Sequence, residues 1–472
     1  MSRGHFIMVA ASVAIGSPLF AQTTAPAEPP MGTLKPFTMP AIERIKLSNG
    51  MTLALVPFGS VPQTTLFLNT FAGDIDAGDR PWLAALTADV MKQGAGGKDA
   101  KQLAEALSEM GGSLSVFADA NNTQVSTTVL SERAGDAMAL LADVVRRPNM
   151  TQADFDRIKS DRRRQLAQAF ASPQRMADVL LAKAIYGDHP YGVNLPTAAQ
   201  LDAISLADVK AFHTGQYGAA RSTLYVIGQF DKAAVRTAAE RALGSWAAGP
   251  PRKMLPATFI GGPRLILADR PGSEQTTVRL AYAAPAAGTA DDIPFRVADA
   301  LLGGSFGSRI TSNIRENKGY TYSPFSNTGA RPGGATWIWN GDITPSVTGA
   351  AMTEVFNEIR RLQTDPPTSA EAQGMKTYAG TYVLMRMTGA ELIARQLVRA
   401  DLLGLPDDYF PNYVPRAMAV TPEQMRAMAQ RMLPLDKLVL VVVGDMKTVE
   451  PQLMAVPELK AAKIERVTLP KL

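Results

Sequence analysis

Alternation of apolar and polar positions opens the folded part of the chain. Arg44–Pro57 and Gln63–Ala72 alternate and are rich in β-formers, and Asn49-Gly50 within the first stretch is a strong hairpin signal. The period then changes. In Lys101–Met110 the side chains of Leu103, Leu107 and Met110 share one helical face, Asp99 stands where a cap belongs, and Gly111 ends the run. Ser113–Leu130 alternates again and predicts two strands around Ala120-Asn121-Asn122. Helical patterns follow at Ala134–Arg146, Gln152–Phe170 and Met176–Tyr186. Hairpins first and helices later predict an α+β fold, an antiparallel-rich sheet covered by helices on one face.

The pattern occurs twice. Ser205 opens a helix that leads to the apolar run Leu224–Ile227 and Gly228. Thr421 opens one that leads to Leu438–Val443 and Gly444, with the same spacing of 23 residues from cap to glycine and an offset of 216 between copies. Thr151, before Asp154 and Phe155, matches Thr368, before Glu371, at an offset of 217. Two cap-and-helix signals at nearly one offset predict two homologous domains. The Pro- and Gly-rich stretch Ala247–Ala257 falls where the repeat needs a boundary. The expected organisation is therefore residues 41–245 and 259–472, joined by 246–258.

Composition narrows the class. With 46% hydrophobic and 19% charged residues among 472, the chain is long enough for two full cores. A net charge of +5 is small for this length and calls for neither a nucleic acid nor an anionic membrane. Residues 1–21 read as a secretory signal. Arg3 precedes the apolar core Phe6–Ile15, which is too short to span a bilayer, and Ser17–Ala21 is a cleavage region; a short membrane anchor is the other reading. Residues 22–40 read as a flexible lead. No later apolar run is long enough to insert stably in a membrane. The absence of cysteine excludes disulfides, thiol nucleophiles and thiolate metal sites, and a periplasmic location is expected.

Candidate chemistry concentrates in Leu301–Ser326, LLGGSFGSRITSNIRENKGYTYSPFS. A Gly-rich turn leads into a polar helix that breaks at Gly319, followed by an aromatic strand carrying Tyr320 and Tyr322. Arg315 and Tyr322 can both donate hydrogen bonds to a peptide carbonyl. This segment resembles one in the C-terminal half of M16 (pitrilysin/mitochondrial-processing-peptidase-like) zinc peptidases, in which an Arg and a Tyr at this spacing help hold the substrate backbone. The likeness runs from about Glu43 to Asp445 and implies the M16/LuxS-like metallohydrolase-type fold. It also implies a zinc motif, His-x-x-Glu-His, on an early helix, where two histidines four apart share one face and the glutamate activates water. The matching segment is Arg80–Gly94. Anchored on Gly94, it places Ala85, Ala88 and Asp89 at the motif positions, with Gln165 or a neighbour at the third ligand. The whole chain has three histidines, His5, His189 and His213, and no pair has helical ligand spacing. No metal is expected on this chain.

Within the family, zinc-bearing and zinc-less homologous subunits pair around one active site. The resemblance therefore implies a non-zinc, substrate-binding subunit, with zinc on a homologous partner, a peptide substrate, and Arg315 and Tyr322 acting in trans. The alternative is a non-enzymatic assembly or peptide-binding protein like the core-type subunits of respiratory complexes. In that case Arg315 serves a helix terminus and Tyr322 a core. A self-sufficient hydrolase lacks any visible Ser–His or Cys–His arrangement. Gly303–Ser308 lacks the Gly-Lys-Ser/Thr ending of a phosphate loop. The basic run Arg157–Arg164, interleaved with Asp161, reads as a solvated face or subunit contact rather than a nucleic-acid surface. Ser113–Thr123 reads either as an edge strand open to an extended peptide or as an interior pair.

Overall fold

A computed structural model describes residues 38–469. The expected signal segment 1–21 and nearly all of the lead segment lie outside the described residues. Each half builds one six-stranded sheet. The first contains β1 (Glu43–Lys46), β2 (Thr52–Pro57), β3 (Gln63–Thr70), β4 (Ser115–Ala118), β5 (Thr123–Leu130) and β6 (Ser222–Gly228), in spatial order β1-β2-β6-β3-β5-β4. The second contains β7 (Arg264–Asp269), β8 (Thr276–Ala284), β9 (Phe325–Arg331), β10 (Gly334–Ile343), β11 (Val439–Gly444) and β12 (Lys463–Val467), in order β12-β7-β11-β8-β10-β9.

Five strands of each sheet repeat in order and in sense. The one parallel pair among them joins the half's first long strand to its last, β2 with β6 and β7 with β11. The outermost strand breaks the repeat. β1 comes from the first hairpin and runs antiparallel to β2, whereas β12 comes from the end of the chain and runs parallel to β7. The caps that revealed the duplication form as expected: Ser205, Thr421, Thr151 and Thr368 each accept a backbone N–H three residues on. No helix or strand lies between the helix ending at Leu243 and β7 at Arg264.

Six helices position the site: α1 (Leu83–Met91), α2 (Gln152–Ala171), α3 (Pro173–Tyr186), α4 (Asp292–Asp299), α5 (Ser369–Met385) and α6 (Ala390–Leu403). The expectation of helices on one face of each sheet needs correction, because both faces are covered. Leu53, Leu55, Leu66, Leu68, Leu224 and Val226 alternate onto one face of the first sheet and form a core with that half's own helices. The intervening Ala54, Phe67, Tyr225 and Ile227 are equally buried, and α6 of the second half packs on β3 and β6. The exchange is reciprocal. Ala177, Leu181 and Ile185 of α3 pack on Ile266, Ala281, Val439, Val441 and Val443 of the second sheet. Double coverage explains why β6 and β11 read as unbroken apolar runs.

Polar contacts bind the exchanged helices. Asp401 accepts both terminal nitrogens of Arg44, at 2.8 and 3.1 Å, and the hydroxyl of Tyr225. Arg279 Nε donates to Asp178 at 2.8 Å and Arg264 Nη1 to the Ala184 carbonyl at 2.8 Å. Arg252, on the connection between halves, stacks 3.7 Å from the Phe71 ring and donates to the carbonyls of Asp401 and Leu402. No described helix is long and apolar enough to cross a membrane.

Candidate functional site

The stretch around Arg315 is not a plain helix followed by a strand. α4 runs on into a π-type turn at Ala300–Gly304, and a second π-type turn occupies Ser312–Asn317 after the short helix Arg309–Thr311. Gly303 lets the first turn lie against β9, since a Cβ there would stand 2.6 Å from Ser326 Oγ. Gly319 ends the second turn at φ +64° and donates to the Arg315 carbonyl. The expected aromatic strand is corrected accordingly. Tyr320–Pro324 is irregular, with a single bridge from Thr321 to Ile343, and β9 begins only at Phe325.

Clamps on both sides fix this irregular segment. Arg309 is 7% exposed and makes a bidentate pair with Glu371 of α5, at 2.9 and 3.1 Å, which holds the Glu371 carboxyl down at about 2. Asn313 Nδ2 donates to Glu354 and Glu358 at 3.0 and 2.8 Å, and Lys318 pairs with Glu354 at 2.7 Å. With its frame held, the segment presents Phe306, Arg315 and Tyr322 outward. The Arg315 guanidinium lies 4.8 Å from the Tyr322 ring and 4.6 Å from the Phe306 ring. Tyr322 is 76% exposed and Phe306 70%, so Tyr322 is not a core residue. Among described residues the ionic partner of Arg315 is Glu316, at 3.1 Å. Arg315, partly buried between the two rings, and the exposed Tyr322 thus form one adjacent pair of hydrogen-bond donors.

Ala85, Ala88 and Asp89 come together elsewhere. They line a cavity of about 480 Å³ between the halves, shared with Arg162 and with Asn327 and Arg331 of β9. Arg315 and Tyr322 are not among its lining residues. Trp82 enters α1 at φ +71°, a strained conformation for a bulky residue, and its ring lies 5.4 Å from the Arg162 guanidinium. Arg162 Nε donates to Asp89 Oδ2 at 2.8 Å, and Lys92 pairs with Asp89 Oδ1 at 3.0 Å. Gln165, expected near the third ligand position, is exposed and accepts from Arg162. Arg162 is therefore the neighbour that faces the cavity, and reading its run as a solvated face missed it; i,i+4 spacing from the apolar Ile158 and Leu166 was the available signal. Most of the run is the solvated face expected: Arg157, Arg163 and Arg164 are exposed, with Arg163 on Asp202, while Lys159 donates to the Asp202 and Ile204 carbonyls.

These residues do not fit a zinc ion. Ala85 and Ala88 carry no donor atom, and Asp89 is neutralised by two cationic side chains. No group of three His, Cys, Asp or Glu suited to a metal occurs among the described residues. His213 Nε2 bonds the Val145 carbonyl at 2.9 Å and His189 Nδ1 accepts from Tyr191 N–H, and burial pushes both imidazoles down. Neither is placed to activate a serine. Asp74, on the same cavity, accepts from the Ala84 N–H, and burial pushes its carboxyl up to about 6.

A family model described as "Peptidase M16 inactive domain" matches residues 203–378, and one described as "Insulinase (Peptidase family M16)" matches residues 83–198. The chain belongs to the M16 peptidase family. A protein of Mycobacterium tuberculosis named an uncharacterized zinc protease is 27% identical over 284 residues, which span 59% of this chain and 63% of that protein. A Bacillus subtilis protein, also named an uncharacterized zinc protease, is 25% identical over 294 residues, 60% of this chain and 69% of its own length. The fold matches the crystal structure of a peptidase M16 inactive domain from Pseudomonas fluorescens, with a TM-score of 0.79 and 24% identity, over 85% of this chain and 98% of that one. It also matches a protease from Helicobacter pylori, with a TM-score of 0.80 and 15% identity, over 86% and 100%. At these identities the structural likeness concerns the M16 fold. Ala85, Ala88 and Asp89 lie within the part matched by the Insulinase model, whereas the part matched by the inactive-domain model begins at residue 203.

Proposed function

We propose that this chain is the non-zinc, substrate-binding subunit of a heterodimeric M16-type peptidase. Its partner is a homologous chain that carries zinc and the water-activating glutamate, and the pair works in the periplasm, in keeping with the signal-like residues 1–21. The observation that carries this reading is the contrast between two sites. Arg315, partly exposed, and Tyr322, fully at the surface, stand adjacent and framed, while Asp89 is tied to Arg162 beside two alanines.

The role of this chain is to hold the peptide. The fork of Arg315 and the phenol of Tyr322 donate to a substrate carbonyl, fix its orientation and stabilise the negative charge that develops on its oxygen. The peptide runs extended, and edge strand β4, with Phe117 half-exposed beside the cavity, is a surface on which it can pair. A second reading, an assembly protein without peptidase function, is favoured by the exposed aromatics Phe306 and Tyr322 that sandwich Arg315 as an interface would.

Mixing this chain with a zinc-bearing homologue and assaying peptide cleavage separates the two. The subunit role predicts activity that depends on this chain and falls by about 10²-fold in kcat/KM for Arg315→Ala, with a smaller fall for Tyr322→Phe. A stable complex whose cleavage rate ignores this chain, or both substitutions, overturns it.

A further inference from the structure

The second half holds a cavity of its own, of about 360 Å³, between α4, α5, α6 and edge strand β9. It occupies the place in its half that the Asp89 cavity occupies in the first. The offset of 217 that pairs Thr151 with Thr368 also pairs Ala182, on the wall of the first cavity, with Arg399, on the wall of the second.

Its charges are unbalanced. Arg296, Arg386 and Arg399 line it, with Asp299 as the acidic counterpart. Asp299 is already satisfied by Ser326 Oγ and Trp337 Nε1, each at 2.5 Å, with Thr328 at 3.4 Å. Asp292, behind the wall, takes Arg296 Nε at 2.6 Å, Tyr409 OH at 2.8 Å and Gly288 N–H at 2.9 Å. Arg296 Nη2 is left buried without an acceptor. Arg399 has no ion pair among the described residues; burial first and the repulsion of Arg296 second push its guanidinium down, against the smaller opposing pull of Tyr409 and Asp292. A buried guanidinium N–H without an acceptor is costly, and this one stands beside the partly buried, unpaired Arg399 on a void with no free protein carboxylate, a setting that calls for an anion. The other walls mix polar side chains, Gln396 and Asn327 among them, with apolar and aromatic ones. Phe410 and Ala379 are buried there, and the rings of Tyr378 and Tyr382 lie nearly parallel, 18° apart with centroids at 6.2 Å, at the half-exposed rim.

We propose that this cavity binds an organic carboxylate, with its charged end on Arg399 and Arg296 and its apolar or aromatic body against the Tyr378–Tyr382 wall. The planar guanidinium forks suit a carboxylate, and the volume suits a group the size of one acylated amino acid. A free organic acid and the C-terminal residue of a peptide share this chemistry. The site does not depend on the proposed partner or on peptidase activity. Because Asn327 of β9 lines both cavities, an occupant here touches the strand that also walls the cavity between the halves.

Calorimetric titration of the full chain tests the site with N-acetylphenylalanine, its amide, a pentapeptide ending in a free phenylalanine, and inorganic phosphate. The acid is expected to bind at least about tenfold more tightly than the amide or phosphate. Arg399→Met abolishes that preference, and the exposed control Arg236→Ala leaves it intact. If Arg399→Met fails to fold, Tyr382→Ala at the rim serves instead and weakens the acid while leaving circular dichroism unchanged. A pentapeptide that binds more tightly than the acid identifies a peptide end as the ligand, and one that binds more weakly identifies a small acid; either supports the site. Equal binding of acid and amide, equal binding of phosphate, or unaltered binding by both variants overturns the proposal.

Discussion

Arg309→Met tests how the Arg315 segment is held. The guanidinium of Arg309 is buried, and Glu371 meets it with both oxygens while also accepting from the Thr368 N–H at 2.9 Å and hydroxyl at 3.0 Å. Glu371 falls from 4.5 to about 2, with Arg309 as the largest favourable cause and Thr368 a lesser one. At about 1.4 kcal/mol per pH unit, that drop corresponds to roughly 3 kcal/mol as an upper bound. The Glu371 side chain is 29% exposed and Thr368 supplies part of the effect, so the expected loss on removing Arg309 is about 2 kcal/mol. A carboxyl held low stabilises the fold above its unfolded value near 4.5 and loses that contribution as pH falls toward 2. The loss in Arg309→Met should therefore be full at pH 7 and shrink progressively below pH 4.5. Urea unfolding followed by Trp337 and Trp339, in a background with Trp82→Phe and Trp246→Phe, reports the second half alone. Glu371→Gln and the double substitution complete the cycle. A coupling energy below about 0.5 kcal/mol, or a loss that is the same at pH 7 and pH 3.5, would refute the clamp.

Two further experiments probe the first half. Burial holds Asp74 up at about 6, so its ionisation costs stability as pH rises from about 4 to 6; Asp74→Asn, which keeps an acceptor for Ala84, should raise stability by about 1–2 kcal/mol above pH 6 and leave it unchanged below pH 4. Superimposable pH–melting curves for the two proteins would contradict this. Ala85→His with Asp89→His should not bind zinc measurably by calorimetry while the Arg162 guanidinium remains, and adding Arg162→Glu should tighten binding at least about tenfold; equal zinc affinity with and without Arg162 would show that the arginine does not block the site.

What was legible in the sequence followed from local chemistry. Ser205, Thr421, Thr151 and Thr368 announce helices because a hydroxyl three residues before a free N–H needs no tertiary partner. The β1–β2 hairpin and the apolar runs of β6 and β11 were equally plain. The nearness of Arg315 to Tyr322 followed from the family pattern, but the π-type turns that carry them did not, since their hydrogen bonding depends on Asn313 and Arg309 finding partners on distant helices. Arg162 was hidden because a basic run with interleaved acids looks solvated, and only the fold brings Asp89 to it. The exchange of α3 and α6 left no local signal either. An apolar helix face looks the same whether it packs on its own sheet or on that of the other half.

That exchange bears on how the chain is made. Phe67 and Tyr225 sit on the face of the first sheet that α6 closes, yet β6 is complete at Gly228 and α6 extends to Leu403. At about 5–20 residues per second, a growing chain leaves that face bare for on the order of ten seconds or more. The first half thus waits with an uncovered apolar face until its sister arrives. A truncation placed at the boundary should yield an aggregating fragment rather than a free-standing domain.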